Sequence, residues 1–249
     1  MADSDAPRIY ADLAGWFHLL TAPEEYAEEA MIYTELIAGA SILPPRTVLE
    51  LGSGGGNNAF HMKSQFEMTL IDRSPQMLAL SRGINATLEH IEGDMRTVRL
   101  DREFDAIFVH DAASYLPTEE DLRSTIETAA IHCRAGGVAL FCPDDLAENF
   151  RETTDIGGHD GGGRSLRYLE WTHRGDVEPP AYVVDYAFLL RERGGEVSAV
   201  HDRHLCGAHS RATWLRLLDE AGFDARVVPF IHSEVEAGTQ HVLVAVRRP

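Results

Sequence analysis

Cysteine is scarce in this sequence: there are three in 249 residues, Cys133, Cys142 and Cys206, and none forms a C-x-x-C pair. That excludes a disulfide framework and a thiolate zinc site, and it points to a reducing compartment. Positive charge is scarce as well, since 22 lysines and arginines face 40 aspartates and glutamates and leave a formal net charge of −18. The long-range field therefore repels polyanions, so neither nucleic acid nor an anionic membrane is an expected partner, and a small or cationic substrate fits better. There is no run of about 18 apolar residues to span a bilayer. The opening Met-Ala-Asp-Ser-Asp is acidic where a secretory signal is basic and then apolar. The expectation is a cytoplasmic protein with no membrane attachment. Internal repeats are missing too.

What is present is a globular composition, 44% hydrophobic and 25% charged, with enough chain for one large domain or two small ones. Glu24 to Ala38 has helical periodicity, with Tyr26, Ala30, Tyr33 and Ile37 on one face, Pro23 at its start and Gly39 as its stop. Pro44-Pro45 closes this segment, because neither proline donates an amide hydrogen and each restricts the residue before it. From Arg46, short apolar runs alternate with amphipathic stretches: strands at 47–51, 68–71, 87–91, 104–109 and 138–141, and helices near Gly56, from Ser74-Pro75 to Gly83, and from Thr118 to about Cys133. Such alternation reads as βαβ units around a parallel sheet covered on both faces, an α/β class.

The regularity breaks between Asp144 and Ser210. There a glycine cluster (Gly157, Gly158, Gly161, Gly162, Gly163) precedes strand-like runs at 166–172, 182–190 and 197–205, with no helix between them. Short turns should join these as an antiparallel cover whose exposed edge suits pairing with a second copy, a homodimer. The glycines read as a hairpin tip rather than a phosphate cradle, since no helix start follows them. A helix from Ser210 with Trp214, Leu217, Leu218 and Ala221 on one face, then strands at 225–231 and 240–246, completes the chain. Four segments follow: an N-terminal helical lid (1–45), an α/β core (46–143), the antiparallel insertion (144–210) and a closing helix and strand hairpin (211–249).

The strongest chemical signal is Val48-Leu49-Glu50-Leu51-Gly52-Ser53-Gly54-Gly55-Gly56-Asn57-Asn58, a strand running through glycines into a helix. Backbone can approach a nucleotide-like ligand there where side chains would collide. Gly54 to Ala59 formally matches the dinucleotide pattern G-x-G-x-x-A, so a nicotinamide-dependent oxidoreductase is one reading. Glu50 weighs against it, because a carboxylate at the strand end opposes a pyrophosphate and suits a ligand with a cationic methionyl group. Asp72 ends the second strand, 20 residues after Gly52, where a carboxylate accepts ribose hydroxyls in either cofactor class. Gly93-Asp94-Met95-Arg96 follows the third strand, and His110-Asp111-Ala112-Ala113-Ser114-Tyr115 follows the fourth.

This set of motifs resembles the class I S-adenosylmethionine-dependent methyltransferases, over residues 46–143 and 211–246. Gly93 to Arg96 with Leu100 to Ala106, the opening Ala11-Asp12-Leu13-Ala14 and the insertion before the last helix are similar, more patchily, to the amino-sugar N,N-dimethyltransferases of antibiotic pathways. Phe17 stands where those enzymes tend to carry an aromatic hydroxyl, and Tyr115 near where they tend to carry a histidine. The resemblance implies a Rossmann-like seven-stranded sheet and S-adenosylmethionine as cofactor. It also implies methyl transfer to nitrogen or oxygen of a small molecule in secondary metabolism; a module that binds the same cofactor without turnover is the alternative outside enzymes. It assigns Glu50 to the methionyl end, Asp72 to the ribose and Asp94 to the adenine amino group, with Met95 beside the ring. Gly52, Ser53, Gly54, Gly56, Asn57, Arg73, Met77, Arg96 and His110 complete the expected cofactor contacts.

Strand ends near the switch point of an open sheet face the ligand, so His110, Asp111 and Tyr115 are the catalytic candidates. His110, with an ordinary pKa of about 6.5, suits a base. Asp111 can orient an ammonium acceptor, and Tyr115 can line its site. Trp16, Phe17 and Tyr26 from the lid, with Tyr168, Glu170 and Trp171 from the insertion, offer aromatic surface and one carboxylate for the acceptor. No metal is expected: His201 and His204 are three apart on a strand and so point to opposite faces.

Overall fold

The computed structural model describes residues 6–236 and 238–249. The acidic opening pentapeptide lies outside the described residues, and with it the expectation drawn from its charge. Two 3₁₀ turns, Arg8–Tyr10 and Ala14–Trp16, lead into a short helix α1 (Phe17–Leu20), and a third, Pro23–Tyr26, leads into α2 (Ala27–Ala40). The helix expected from Glu24 thus starts as a 3₁₀ turn and carries Gly39 inside it, ending at Ser41.

The α/β core runs β1 (Thr47–Leu51), α3 (Asn57–Met62), β2 (Glu67–Asp72), α4 (Pro75–Ile84), β3 (Glu89–Glu92), β4 (Phe104–Val109), α5 (Glu119–His132) and β5 (Cys133–Phe141). The insertion supplies β6 (Thr153–Gly157), β7 (Asp160–Gly161), β8 (Arg164–His173), β9 (Ala181–Arg191) and β10 (Val197–Gly207). Helix α6 (Arg211–Glu220) and strands β11 (Phe223–Pro229) and β12 (His241–Arg247) follow. Helix starts fall where capping chemistry places them. Ser74, Thr118 and Ser210 each accept the amide N–H three residues on, from Met77, Asp121 and Thr213.

Seven strands form one sheet in the order β3-β2-β1-β4-β5-β12-β11. The first five are mutually parallel, while β12 lies antiparallel to β5 and β11 antiparallel to β12. Both faces are covered: Leu49, Ile107 and Phe141 pack with Trp214 and Leu217 on one, and Val48, Phe108 and Leu140 pack with Tyr33 and Ile37 on the other. This double burial is why the strands read as continuous apolar runs. The order reverses between β1 and β4, so their carboxyl ends splay apart and open a crevice.

The insertion is a second sheet, β10-β9-β8-β6, with β7 pairing β8. Its antiparallel hairpins follow the expected pattern, and Gly162 and Gly163, both at positive φ, make the tip between β7 and β8. Strands β6 and β7 went unread in the sequence because their residues are polar and almost all exposed, leaving no apolar alternation to find. Leu166, Phe188 and Leu190 of this sheet pack on Ile9 and Leu13, which ties the N-terminal turns to the cover. Among the described residues no helix is long and apolar enough to cross a membrane.

Candidate active site

A cavity of about 650 Å³ opens at the carboxyl ends of β1, β2, β3 and β4 and is closed from above by the N-terminal turns. Its floor is the loop after β1. The amides of Gly52 and Ser53 both donate to Ile71 O at 2.8 Å, which pins the loop to β2. Gly52 has φ +74°, and a Cβ there would lie 2.2 Å from the Cβ of Ala112, so β1 and the turn after β4 approach as closely as they do only because this position has no side chain. Gly54, at φ +52°, would put a Cβ into open space with only Met77 Cε near, at 3.9 Å. Gly54 therefore turns a bare backbone face to the cavity. Gly56 does not line the cavity; a Cβ there would strike Ser81 and Asn85 behind the loop. Met77 is fully buried beneath it. Of the expected loop contacts, Glu50, Gly52, Ser53, Gly54 and Asn57 line the cavity, and Gly56 and Met77 support it from behind.

Glu50 is 3% exposed, and burial, with Asp72, Asp111 and Glu29 around it, pushes its carboxyl up to about 8. Its Oε2 has no hydrogen-bond partner among the described residues, and neither do Ser53 Oγ and Asn58 Oδ1. Orphaned polar atoms on buried residues that line one cavity are the mark of a polar ligand. Asp72 is oriented by two backbone amides, Gly54 N to Oδ2 and Ser74 N to Oδ1, each 2.8 Å. Burial raises its pKa against those two bonds. Arg73 and Met95 also line the cavity. Asp94 is gripped by its neighbour: Arg96 Nε lies 3.0 Å from Oδ1 and Nη2 lies 2.6 Å from Oδ2, and this pairing holds the Asp94 carboxyl below its usual range. The Arg96 guanidinium also reaches Asp121 at 2.6 Å, so it fixes the Asp94 turn to α5.

The end of the cavity beyond β4 is acidic. Asn58 Nδ2 donates to His110 Nδ1 at 3.2 Å, which leaves Nε2 as the donor toward Asp111 Oδ1 at 3.1 Å, with Glu29 Oε1 at 3.5 Å. Burial lowers the His110 pKa against the pull of Glu29, so the ring is neutral at pH 7 and holds Asp111. Asp111 lines the cavity with its side chain about half exposed, and desolvation together with Glu170 pushes its carboxyl up to about 7. Burial and Asp111 likewise raise Asp144, and burial carries Glu29 up to about 6. Several carboxyls with raised pKa values in one recess form a place where a cation is favoured.

The expected acceptor residues divide. Phe17 and Tyr26 line the cavity, and Phe17 closes over the loop so tightly that a Cβ on Gly55 would lie 2.7 Å from its ring. Trp16 lies outside the lining, with the Arg164 guanidinium stacked 3.6 Å over its ring. On β8, Leu166, Tyr168, Glu170 and Thr172 share the inward face, while Trp171 is 50% exposed on the outer face and stacks on His173. Tyr168 and Glu170 face inward but lie outside the cavity lining, and Trp171 is turned to the outer face because strand residues alternate. His201 and His204 do leave opposite faces of β10, the first exposed and the second 2% exposed.

Comparison with known proteins places this geometry. A family model described as a methyltransferase domain matches residues 48–137, the stretch that builds the cavity floor. A dTDP-3-amino-3,4,6-trideoxy-alpha-D-glucopyranose N,N-dimethyltransferase of Streptomyces venezuelae is 28% identical over 220 residues, 86% of this chain and 89% of that one. Residues 48–137 are thus a methyltransferase domain. The solved structure of Streptomyces venezuelae DesVI superimposes with a TM-score of 0.81 at 23% identity, covering 95% of this chain and 99% of that one. That of CalS10, an amino pentose methyltransferase of Micromonospora echinaspora solved with S-adenosylmethionine bound, gives 0.73 at 21% identity, covering 89% and 91%.

A methyltransferase domain at these residues sets aside the nicotinamide reading. Sequence reasoning missed Tyr10, Asn58 and Glu92 in the cavity lining and Glu29 and Asp144 around its acidic end. Glu92, the last residue of β3, had a signal, a carboxylate at a strand end on the ligand side of the sheet. Asp144, three residues after β5, had a similar strand-end signal, whereas Glu29 comes from α2 and carries no local pattern.

Proposed function

We propose that this enzyme N-methylates a small-molecule amine, with the cofactor lying along the β1–β3 side of the cavity and the acceptor at its acidic end. An amino sugar carried on a nucleotide, the acceptor class suggested by the name of the Streptomyces venezuelae relative, is the best candidate. The observation that carries the reading is the set of carboxyls Asp111, Asp144, Glu29 and Glu170, whose raised pKa values record that the fold itself does not neutralise them. An ammonium is attracted into such a recess, and a carboxylate acceptor is repelled.

The buried residues fit S-adenosylmethionine. The unpartnered Glu50 Oε2 suits its methionyl ammonium, Asp72 its ribose hydroxyls and the Asp94–Met95 turn its adenine, while the bare face of Gly54 lets it lie against backbone. When bound, it supplies a methyl group on a sulfonium, open to in-line displacement by a nitrogen lone pair. The chain's part is positioning and exclusion of water. Phe17 and Tyr26 roof the cavity as parts of the N-terminal lid, and residues 144–210 form the acceptor wall. His110 serves to orient Asp111, whose carboxyl anchors the ammonium.

Two measurements test this reading. Calorimetric titration with S-adenosylhomocysteine, with NAD as control, should give micromolar binding of the first and none of the second. Incubation with methyl-labelled S-adenosylmethionine and matched amines, alcohols and carboxylic acids should then put label on nitrogen. Label confined to oxygen would overturn the amine assignment.

A further inference from the structure

Behind the acceptor end, four side chains from three distant parts of the chain form one hydrogen-bonded file. Tyr10 Oη lies 2.8 Å from Tyr115 Oη, Tyr115 Oη lies 2.6 Å from His204 Nδ1, and His204 Nε2 lies 3.2 Å from Asp202 Oδ2. Asp202 also accepts the amides of Arg8 at 2.9 Å and Ile9 at 2.8 Å, so the same carboxylate pins the turn that carries Tyr10. Asp202 and His204 are 3% and 2% exposed, whereas Tyr10 and Tyr115 line the cavity.

The chemistry of the partners fixes every direction in the file. Asp202, whose carboxyl is held below its usual range by His204 and the two amides, is an acceptor only. His204 must then carry its proton on Nε2 and accept at Nδ1, so Tyr115 donates to it. With its proton committed, Tyr115 accepts from Tyr10. Tyr10 Oη has no further partner among the described residues, and so its free lone pair is presented at the cavity wall. A phenol there has its acceptor side toward the ligand and a histidine–carboxylate pair at the far end of the line.

We propose that this file is the proton exit for the acceptor amine: Tyr10 takes the proton, and Tyr115, His204 and Asp202 relay and hold it. The proposal rests on the amine reading above. An N–H bond of the incoming ammonium breaks and leaves its electron pair on nitrogen. The proton passes to Tyr10 Oη as the Tyr10 proton moves to Tyr115 and the Tyr115 proton moves to His204 Nδ1. His204 becomes imidazolium beside Asp202. The freed nitrogen pair forms the N–C bond to the methyl group, and the C–S pair stays on the departing sulfur. The proton returns along the file to water once product has left. Neither phenol need ionise, which agrees with burial raising the pKa of both Tyr10 and Tyr115. The other titratable groups facing the file are Asp111 beside Tyr10, Asp144 from the loop after β5, Glu170 on β8, Tyr186 on β9 and Cys206 on β10.

The test compares the parent enzyme with Tyr10→Phe and His204→Gln on an amine acceptor, from about pH 6 to about pH 10, a range that spans the ordinary histidine and amine pKa values. At pH 7 both variants should lose at least roughly tenfold in kcat, within the range of general-base effects. KM for S-adenosylmethionine and affinity for S-adenosylhomocysteine should not change. The loss should vanish above the amine's own pKa, where no proton need be removed. Nitrogen-labelled histidine spectra of the resting protein should show His204 as the Nε2–H tautomer, a readout independent of turnover. Variants that match the parent at pH 7, an equal fractional loss at every pH, or an Nδ1–H tautomer would each overturn the relay while leaving the amine reading in place. Absence of amine turnover in the parent removes both. Should His204→Gln fail to fold, Tyr10→Phe, which deletes a single oxygen, decides the matter.

Discussion

The two walls of the cavity are built on opposite plans. On the β1–β3 side the ligand surface is loop backbone braced by side chains of the same segment: Gly54 by Asp72, 18 positions on, and Ser74 by Asp72 and Asp94 by Arg96, each two positions apart. On the β4 side the lining side chains Tyr10 and Tyr115 are held from far along the chain, His204 lying 89 positions from Tyr115 and Asp202 lying 194 from Arg8. The first wall tolerates little change in its own residues. The second depends on the docking of the N-terminal turns and the antiparallel cover. Under the proposed function a cofactor common to many enzymes would be held by the rigid sheet, and the acceptor by the part of the fold that is freest to vary.

The sharpest way to break the first wall is Gly52→Ala. A methyl group 2.2 Å from Ala112 at φ +74° combines backbone strain with overpacking and should cost roughly 2 to 5 kcal/mol. A large fall in melting temperature and loss of S-adenosylhomocysteine binding are expected. Asp72→Ala comes next. It should weaken S-adenosylhomocysteine by roughly 10- to 100-fold by removing charge-assisted hydrogen bonds. It should also lower the melting temperature, because the amides of Gly54 and Ser74 lose their acceptor.

Glu50 sharpens the comparison through pH. Its folded-state pKa of about 8 lies above the unfolded value of about 4.3. The native state therefore holds the proton longer, and the stability this contributes is present below pH 4.3 and lost as pH rises through 8. Glu50→Gln should flatten that decline, leaving the ligand-free variant more stable than the parent at pH 8 and similar to it near pH 4, as read from melting temperature against pH. In the parent, binding of a ligand ammonium beside Glu50 should release a proton, seen as calorimetric heats that depend on the buffer. The variant should lose that release. The smallest effect is expected on the outer face of the cover: Trp171→Ala should leave methyl transfer unchanged and stability within about 1 kcal/mol of the parent.

The same division explains what could be read in advance. Strands β1, β2, β4 and β5 were legible because burial on both faces leaves an apolar run, the edge strand β3 through its place in the alternation, and the glycine loop because its conformation demands particular residues at particular spacings. Asp72 and Asp94 followed from their places at strand ends. Arg96, expected to touch cofactor, lines the cavity and also braces Asp94, a pairing that spacing alone did not announce. Trp171 was assigned to the acceptor and faces outward, because nothing in an alternating strand says which face is inner until its partner is known. Tyr10, Asp202 and His204 had no local pattern at all; their meaning lies in contacts that only the folded chain makes.

The central claim, a sheet-built cofactor wall facing a carboxylate-lined seat for an amine, is tested most directly by competition between an amino-sugar nucleotide and the same compound with hydroxyl in place of the amine, each offered with labelled S-adenosylmethionine. Methylation of the amine at its nitrogen with the hydroxyl analogue left untouched is the expected result. Methylation of the hydroxyl compound at a comparable rate would contradict it.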